Sequence, residues 1–304
     1  MSHRSTVQTR PHPRRPRRWT PGPWITIAAA VTLVLAGCSS GAPEHDHAAA
    51  EPAARSEMSM SALPSRHVHG MAVNPADQRV YLATHDGLFR YDDSGPTRVG
   101  PVIDLMGFTV AGPDHFYASG HPAIGTDLPD PVGLIASTDA GRTWTPLSRQ
   151  GQSDFHALTT SPAGVIGYDG EMWRTENTAS WDELAIPSPP MSLAGSTAGP
   201  VVLTTHPAGL LRSPDNGDSW TVVRDAPSLA VLAIADTVTA VGVSADGAVH
   251  VSQDAGLTWT PGGRTDQPQA ITATTDAQGL RIFIATTQNV VQSTDSGHTF
   301  TPLV

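Results

Sequence analysis

One eight-residue phrase returns along the chain at nearly constant spacing. STDAGRTW at 137–144 recurs as SPDNGDSW at 213–220, SQDAGLTW at 252–259 and STDSGHTF at 293–300. Two worn copies, YDDSGPT at 91–97 and TENTASW at 175–181, fit the same frame. The six starting points, 91, 137, 175, 213, 252 and 293, are spaced by 46, 38, 38, 39 and 41 residues. A period near 40 built of short alternating segments and turn residues predicts radial repetition of four-stranded sheets. The expected fold is therefore all-β, a six-bladed β-propeller with four antiparallel strands per blade over residues 67–304. In each octad the aspartate accepts backbone N–H bonds across a tight turn, and the glycine takes a positive φ. The closing aromatic packs between sheets. Asp139, Asp215, Asp254 and Asp295 are accordingly read as structural.

These octads resemble the Asp-box, or BNR repeat, of sialidases, sortilin-type receptors and photosystem assembly-factor propellers. The resemblance implies that they lie between the third and fourth strands of each blade, on the face away from the ligand-binding mouth. With HVHGMAV, ATHDGLF, DLMGF, YASGHP and SDFHAL added, the whole repeat region is similar to secreted bacterial BNR-repeat proteins commonly labelled glycosyl hydrolase or sialidase-like.

What precedes the repeats reads as packaging. Residues 1–18 carry six arginines and no acid, and an apolar run, WITIAAAVTLVLAG, ends just before Cys38. The run is short for a membrane span and reads as a signal peptide over residues 1–37. The ending Leu35-Ala36-Gly37-Cys38 resembles a bacterial lipoprotein processing box, which implies cleavage before Cys38 and lipidation of its thiol. Cys38 is the only cysteine in the chain, so no intramolecular disulfide forms. Residues 38–66 are small, polar and proline-containing, as expected of a flexible tether. The expected location is extracytoplasmic, with the chain anchored to the cell membrane by its lipid. Loss of the leader leaves 12 arginines, no lysine and 28 acidic residues. That balance excludes nucleic acid as a partner and leaves cations, small ligands and glycans open. No motif selects a protein partner, and the chain is expected to be a monomer.

Histidines concentrate on one predicted face. In a propeller the starts of the innermost strands and the turns after the second strands open on the same mouth. Aligning the units places His69, Met106, His156, Ser192, Ala230 and Gln269 at the first register, with His67 two residues before His69 on the same side. The second register holds His85, His121, Asp169, His206, Asp246 and Gln288. Imidazole with a thioether alongside suits copper or zinc better than calcium or magnesium. His67, His69, Met106, His121 and His156 are therefore the candidate metal ligands, with Asp86 or Asp154 available to orient a ring. His85, His206, Asp86, Tyr168, Asp127 and Asp130 complete the candidate mouth. The last two ride on a long segment, GHPAIGTDLPDPVG at 120–133, which has the length of a lid or specificity loop. Taken singly, each histidine also fits a hydrogen-bonded loop position.

Two other functions use the same mouth. A glycoside hydrolase needs paired carboxyls, and Asp154, Asp169 and Glu171 are its candidates. Sialidase chemistry, which uses an arginine triad, is not expected, because most of the domain's arginines map away from the mouth. A non-catalytic protein-docking or assembly platform is the remaining class, and it fits the acidity and the tether.

Overall fold

The computed structural model describes residues 63–207 and 209–303. Cys38, the leader and nearly all of the tether lie outside the described residues. Within them the chain forms six four-stranded antiparallel sheets, each built from consecutive strands. Blade 1 holds β1 (Val68–Val73), β2 (Val80–Thr84), β3 (Gly87–Asp92) and β4 (Gly95–Val99). Blade 2 holds β5 (Ile103–Gly112), β6 (His115–Pro122), β7 (Leu134–Ser137) and β8 (Thr145–Ser148). Blade 3 comprises β9 (Ala157–Ser161), β10 (Gly164–Tyr168), β11 (Met172–Thr175) and β12 (Asp182–Leu184). Blade 4 comprises β13 (Ser192–Ser196), β14 (Gly199–His206), β15 (Gly209–Ser213) and β16 (Thr221–Val222). In blade 5 the strands are β17 (Val231–Ile234), β18 (Ala240–Val243), β19 (Ala248–Ser252) and β20 (Thr260–Arg264). Blade 6 closes the chain with β21 (Pro268–Asp276), β22 (Gly279–Thr286), β23 (Val290–Ser293) and β24 (Thr301–Pro302). This is an all-β, six-bladed propeller. Among the described residues no helix is long and apolar enough to cross a membrane.

The ring closes without an exchanged strand. Inner strand β1 packs against both β5 and β21. Val68 donates its N–H to Gln269 Oε1 at 2.8 Å across the seam. Val68, Met71, Val80, Leu82 and Tyr91 of blade 1 share one apolar cluster with Ala270, Phe283, Ala285 and Val290 of blade 6. The other clusters also join neighbouring blades. Trp144 of blade 2 packs beside Leu88 of blade 1, and Trp220 of blade 4 beside Ile166 and Leu184 of blade 3. Phe300 of blade 6 packs beside Val249 and Val251 of blade 5. Apolar surface removed from water stabilises by roughly 25 cal/mol per Å², so the blades hold one another rather than standing alone.

The octads connect the third and fourth strands of blades 2, 4, 5 and 6. In the first, Ser137 Oγ accepts from Gly141 N at 2.8 Å and donates to Asp139 Oδ1 at 2.8 Å. Asp139 then accepts from Thr143 N at 2.9 Å and Thr143 Oγ1 at 2.7 Å. Ser213 with Asp215, Ser252 with Asp254 and Ser293 with Asp295 repeat the arrangement. The octad turns bond to the turns between first and second strands: Ala140 N reaches Asp114 O at 3.1 Å and Ala255 N reaches Val238 O at 2.7 Å. They therefore lie at the end of the ring opposite the turns after the second strands.

Blade 1 departs from the expected frame. Its copy, YDDSGPT, makes a tight hairpin in which Asp92 pairs with Gly95. Tyr91 stands where the four close copies carry the serine that accepts the glycine N–H, and Asp92 is drawn into ion pairs with Arg79 and Arg90 at 3.0 and 2.7 Å. The blade 3 copy keeps a turn but uses Asn177 Oδ1, which accepts from Ala179 N and Ser180 N at 3.0 and 2.9 Å.

These turns give the fold an acid-sensitive component. The Thr258 hydroxyl, foremost, holds the Asp254 carboxyl down at about 2. The Thr143 amide, the Ser219 hydroxyl and the Thr299 hydroxyl likewise lower Asp139, Asp215 and Asp295. An unfolded aspartate titrates near 3.9. Depressed carboxyls contribute stability that is complete above that value and is lost as pH falls through the folded pKa. As these carboxyls protonate, the midpoint of urea unfolding is expected to fall between about pH 4 and 2. A midpoint unchanged down to pH 2.5 would contradict this role.

Candidate functional site

The mouth residues are aimed by irregularities in the inner strands. Pairing of β1 with β2 skips His69, passing from Val68↔Thr84 to Gly70↔Ala83. Pairing of β5 with β6 skips Met106 in the same way, and that of β21 with β22 skips Gln269. A bulge leaves one residue unpaired and re-aims its side chain. The three residues occupy equivalent positions in blades 1, 2 and 6.

Two groups of side chains meet there. In the first, His69 Nε2 lies 3.1 Å from His85 Nε2, and His85 Nδ1 lies 2.7 Å from Asp104 Oδ1. His67 joins them, with its ring centroid 5.7 Å from that of His85 and 6.5 Å from that of His69. Potential ligand atoms of His69, His85 and Asp104 all lie within 4.8 Å of one another, so this group could hold a metal ion. A carboxylate on Nδ1 fixes that proton and leaves the His85 Nε2 lone pair facing the mouth. Burial first, and then the neighbouring His85, lowers the pKa of His69. It is thus kept in the neutral form that ligation requires. Two imidazole nitrogens at 2.0–2.1 Å from one tetrahedral ion stand about 3.3 Å apart. The 3.1 Å observed is close to that spacing, and the rings, whose centroids stand 4.3 Å apart, would turn to aim both lone pairs at one ion.

The second group is an ion-pair network. His121 Nδ1 meets Asp130 Oδ1 at 2.6 Å, and its Nε2 meets Asp154 Oδ2 at 3.1 Å. The hydrogen bond that His121 donates to Asp130 is the main cause of its raised pKa. An imidazole donating from both nitrogens is a cation with no lone pair, so in this arrangement His121 serves as a counter-ion. His156 Nε2 approaches the same Asp154 Oδ2 at 3.4 Å. Asp154 Oδ1 is buried and has no hydrogen-bond partner among the described residues. The groups adjoin, since Asp104 is the direct cross-strand partner of His121.

The remaining candidates are more dispersed. Met106 is half-buried at its bulge, whereas Met191, 63% exposed, joins His69 and His156 around the cavity beneath the mouth. Asp86 is exposed in the β2–β3 turn, its N–H bonded to Thr84 Oγ1 at 3.1 Å. Asp127 is exposed on the long segment that also delivers Asp130. Asp169 accepts from Trp173 Nε1 at 2.9 Å and Arg149 at 3.3 Å, while Arg149 itself stacks 4.2 Å from the Trp173 ring. That carboxylate is committed to packing. Tyr168 is half-buried at the end of β10, Glu171 is exposed beyond it, and His206 ends β14 in blade 4.

Sequence reasoning passed over Asp104, the residue that orients His85. A signal was present: His67, Asp104 and Asp154 each stand two residues before the mouth register of their blades, so period two puts all three on the mouth side.

No protein-family model matches this chain, and no curated protein matches it either. Solved structures do. YCF48 from Cyanidioschyzon merolae superposes with a TM-score of 0.50 at 15% identity, covering 79% of this chain and 86% of that one. A gluconolactonase from Xanthomonas campestris gives 0.55 at 13% identity over 73% and 84%. An ancestral GH74 enzyme gives 0.50 at 11% identity over 78% of this chain, which spans only 38% of that enzyme. At these identities the likeness establishes the propeller fold alone, and fold does not fix function.

Proposed function

We propose that the protein is an extracytoplasmic, lipid-anchored, monomeric propeller that binds one transition-metal ion, copper or zinc, at the histidine mouth of blades 1 and 2. The observation that carries this reading is the His69–His85 pair, two facing Nε2 atoms 3.1 Å apart with Asp104 on the far nitrogen of His85. His69 and His85 would ligate through Nε2, His67 would supply a third imidazole, and Asp104 would orient His85. Such a set leaves a fourth position open to a water or a ligand. There a bound ion would act as a Lewis acid. The chain's octads support placing it with the Asp-box propellers, and Cys38 supports the lipid anchor.

Metal content tests the reading. After exposure of the purified protein to zinc or copper and exhaustive dialysis, about one ion per chain is expected to remain, and to be lost in His69→Ala. Retention of the same amount by His69→Ala would count against it, because the ion would then be held elsewhere in the chain.

A second reading, hydrolysis, would draw on the Asp154 carboxylate, whose Oδ1 has no partner among the described residues but is itself buried from solvent. Against a paired-carboxyl glycosidase, Asp169 is bonded to Trp173 and Arg149, and His121 stands on Asp154, between it and Asp130.

A further inference from the structure

Five of the six seams between blades receive an aromatic side chain from the end of the following blade's octad. Trp144 packs into the cluster shared by blades 1 and 2, and Trp181 into that of blades 2 and 3. Trp220, Trp259 and Phe300 do the same for the next three seams. At the sixth, where blade 1 meets blade 6, the corresponding position is Arg98, which is exposed.

Strand register locates the seat left without its aromatic. In blade 3, Ile166 pairs with Arg174 and Leu184 with Met172. A Cβ on Gly217, in the octad of blade 4, would stand 3.6 and 2.9 Å from their Cδ1 methyls. Phe283, paired with Gln292, and Leu303, whose N–H reaches Val290 O at 2.8 Å, hold the same positions in blade 6. The octad glycine due to cover them is Gly95, drawn instead into the blade 1 hairpin, and an added Cβ there would meet nothing within 4 Å. A groove of about 280 Å³ opens at this seam, walled by Phe283, Leu303, Val80 and Tyr91, with Arg79 and Arg281 also lining it.

The two arginines differ. Arg79 is held by Asp92 and Asp93 at 3.0 and 3.5 Å. Arg281 lies 5.0 Å over the Phe283 ring and makes no ion pair among the described residues. A guanidinium stacks aromatic rings on its faces, so this polar wall suits a flat ring and not an alkyl chain. The Tyr91 hydroxyl, buried and without a partner among the described residues, could accept from a ring N–H.

We propose that this groove binds a planar aromatic ligand of about the size of indole, seated in the place of the missing closing residue, against Phe283, Leu303 and the Arg281 guanidinium. The size follows from volume, because a cavity of about 150 Å³ accepts benzene, and from the seams themselves, where four of the five closing residues are tryptophans. The groove lies among the turns between first and second strands, away from the histidines, and does not rest on the metal reading.

The test is calorimetric titration of indole, phenol and cyclohexanol into the full-length protein. Indole is expected to bind at one site per chain, about tenfold more tightly than phenol, and cyclohexanol more weakly than either. Leu303→Trp, which fills the groove from blade 6, is expected to abolish indole binding. Arg281→Ala removes the stacking face and is expected to weaken indole about fivefold; it carries the test alone should Leu303→Trp fail to fold. No saturable indole binding, cyclohexanol bound as tightly as phenol, or indole affinity unchanged in a folded variant would overturn the proposal.

Discussion

Gly120→Ala is expected to destabilise the domain more than any other single methyl addition at the mouth, and to disrupt the histidine cluster with it. Gly120 has φ +147°, and a Cβ there would stand 1.8 Å from Asp104 O and 2.9 Å from Met106 N. Both are backbone atoms of an inner strand, so no rotamer change relieves the contact. The inner strand passes this close because the bulge at Met106 throws its backbone toward β6. Backbone strain of about 1–3 kcal/mol adds to an overpacking cost of similar size. The total, about 2–6 kcal/mol, is a large part of ordinary domain stability. At roughly 2–4 °C per kcal/mol for a domain of this size, the melting temperature should fall by about 5–20 °C. Gly170→Ala is the control, since Gly170 has φ +120° but nothing within 4 Å of the added methyl. Circular dichroism melts of the two variants decide the matter. Equal melting temperatures would show that the close approach at Gly120 carries no cost.

The second large effect separates a ligand from the residue that orients it. His85→Ala removes a metal-binding nitrogen and is expected to weaken zinc binding on the order of 10³-fold. Asp104→Asn keeps the shape beside His85 Nδ1 but withdraws the charge, and outer partners of this kind cost 10–100-fold. Competition with a chromophoric chelator measures both affinities. The side chain of His85 is 43% exposed, so its truncation opens no core cavity and folding serves as an internal control. If Asp104→Asn proved the more damaging, Asp104 would be a direct ligand and the geometry assigned here would be wrong.

The propeller was legible because the octads punish drift. Each needs a serine, an aspartate and a glycine at fixed offsets to satisfy its own backbone, and that fixed turn sets the blade period. Where the serine is replaced, as at Tyr91, the turn reverts to a hairpin, and the sequence alone did not show it. The mouth register was legible for a different reason. Side chains on an inner strand alternate, so knowing that His69 faces the mouth brings His67 with it. The same rule reaches Asp104 through Met106, but only when carboxylates are sought as well as imidazoles. What could not be read was the division of labour among the histidines. His121 sits in the same register as His85, yet Asp130 and Asp154 take both of its nitrogens. That outcome depends on where a long connecting segment sets Asp130 down, which no repeat governs.

The most direct test of the metal centre is X-ray absorption at the zinc or copper edge of the loaded full-length protein, with His69→Ala/His85→Ala as reference. The account predicts a first shell containing at least two imidazole nitrogens at about 2.0–2.1 Å, with the outer-shell scattering of intact rings, and its loss in the double variant. A shell made only of oxygen, or an imidazole shell that the double variant leaves unchanged, would place the ion elsewhere and contradict a metal site built on His69 and His85.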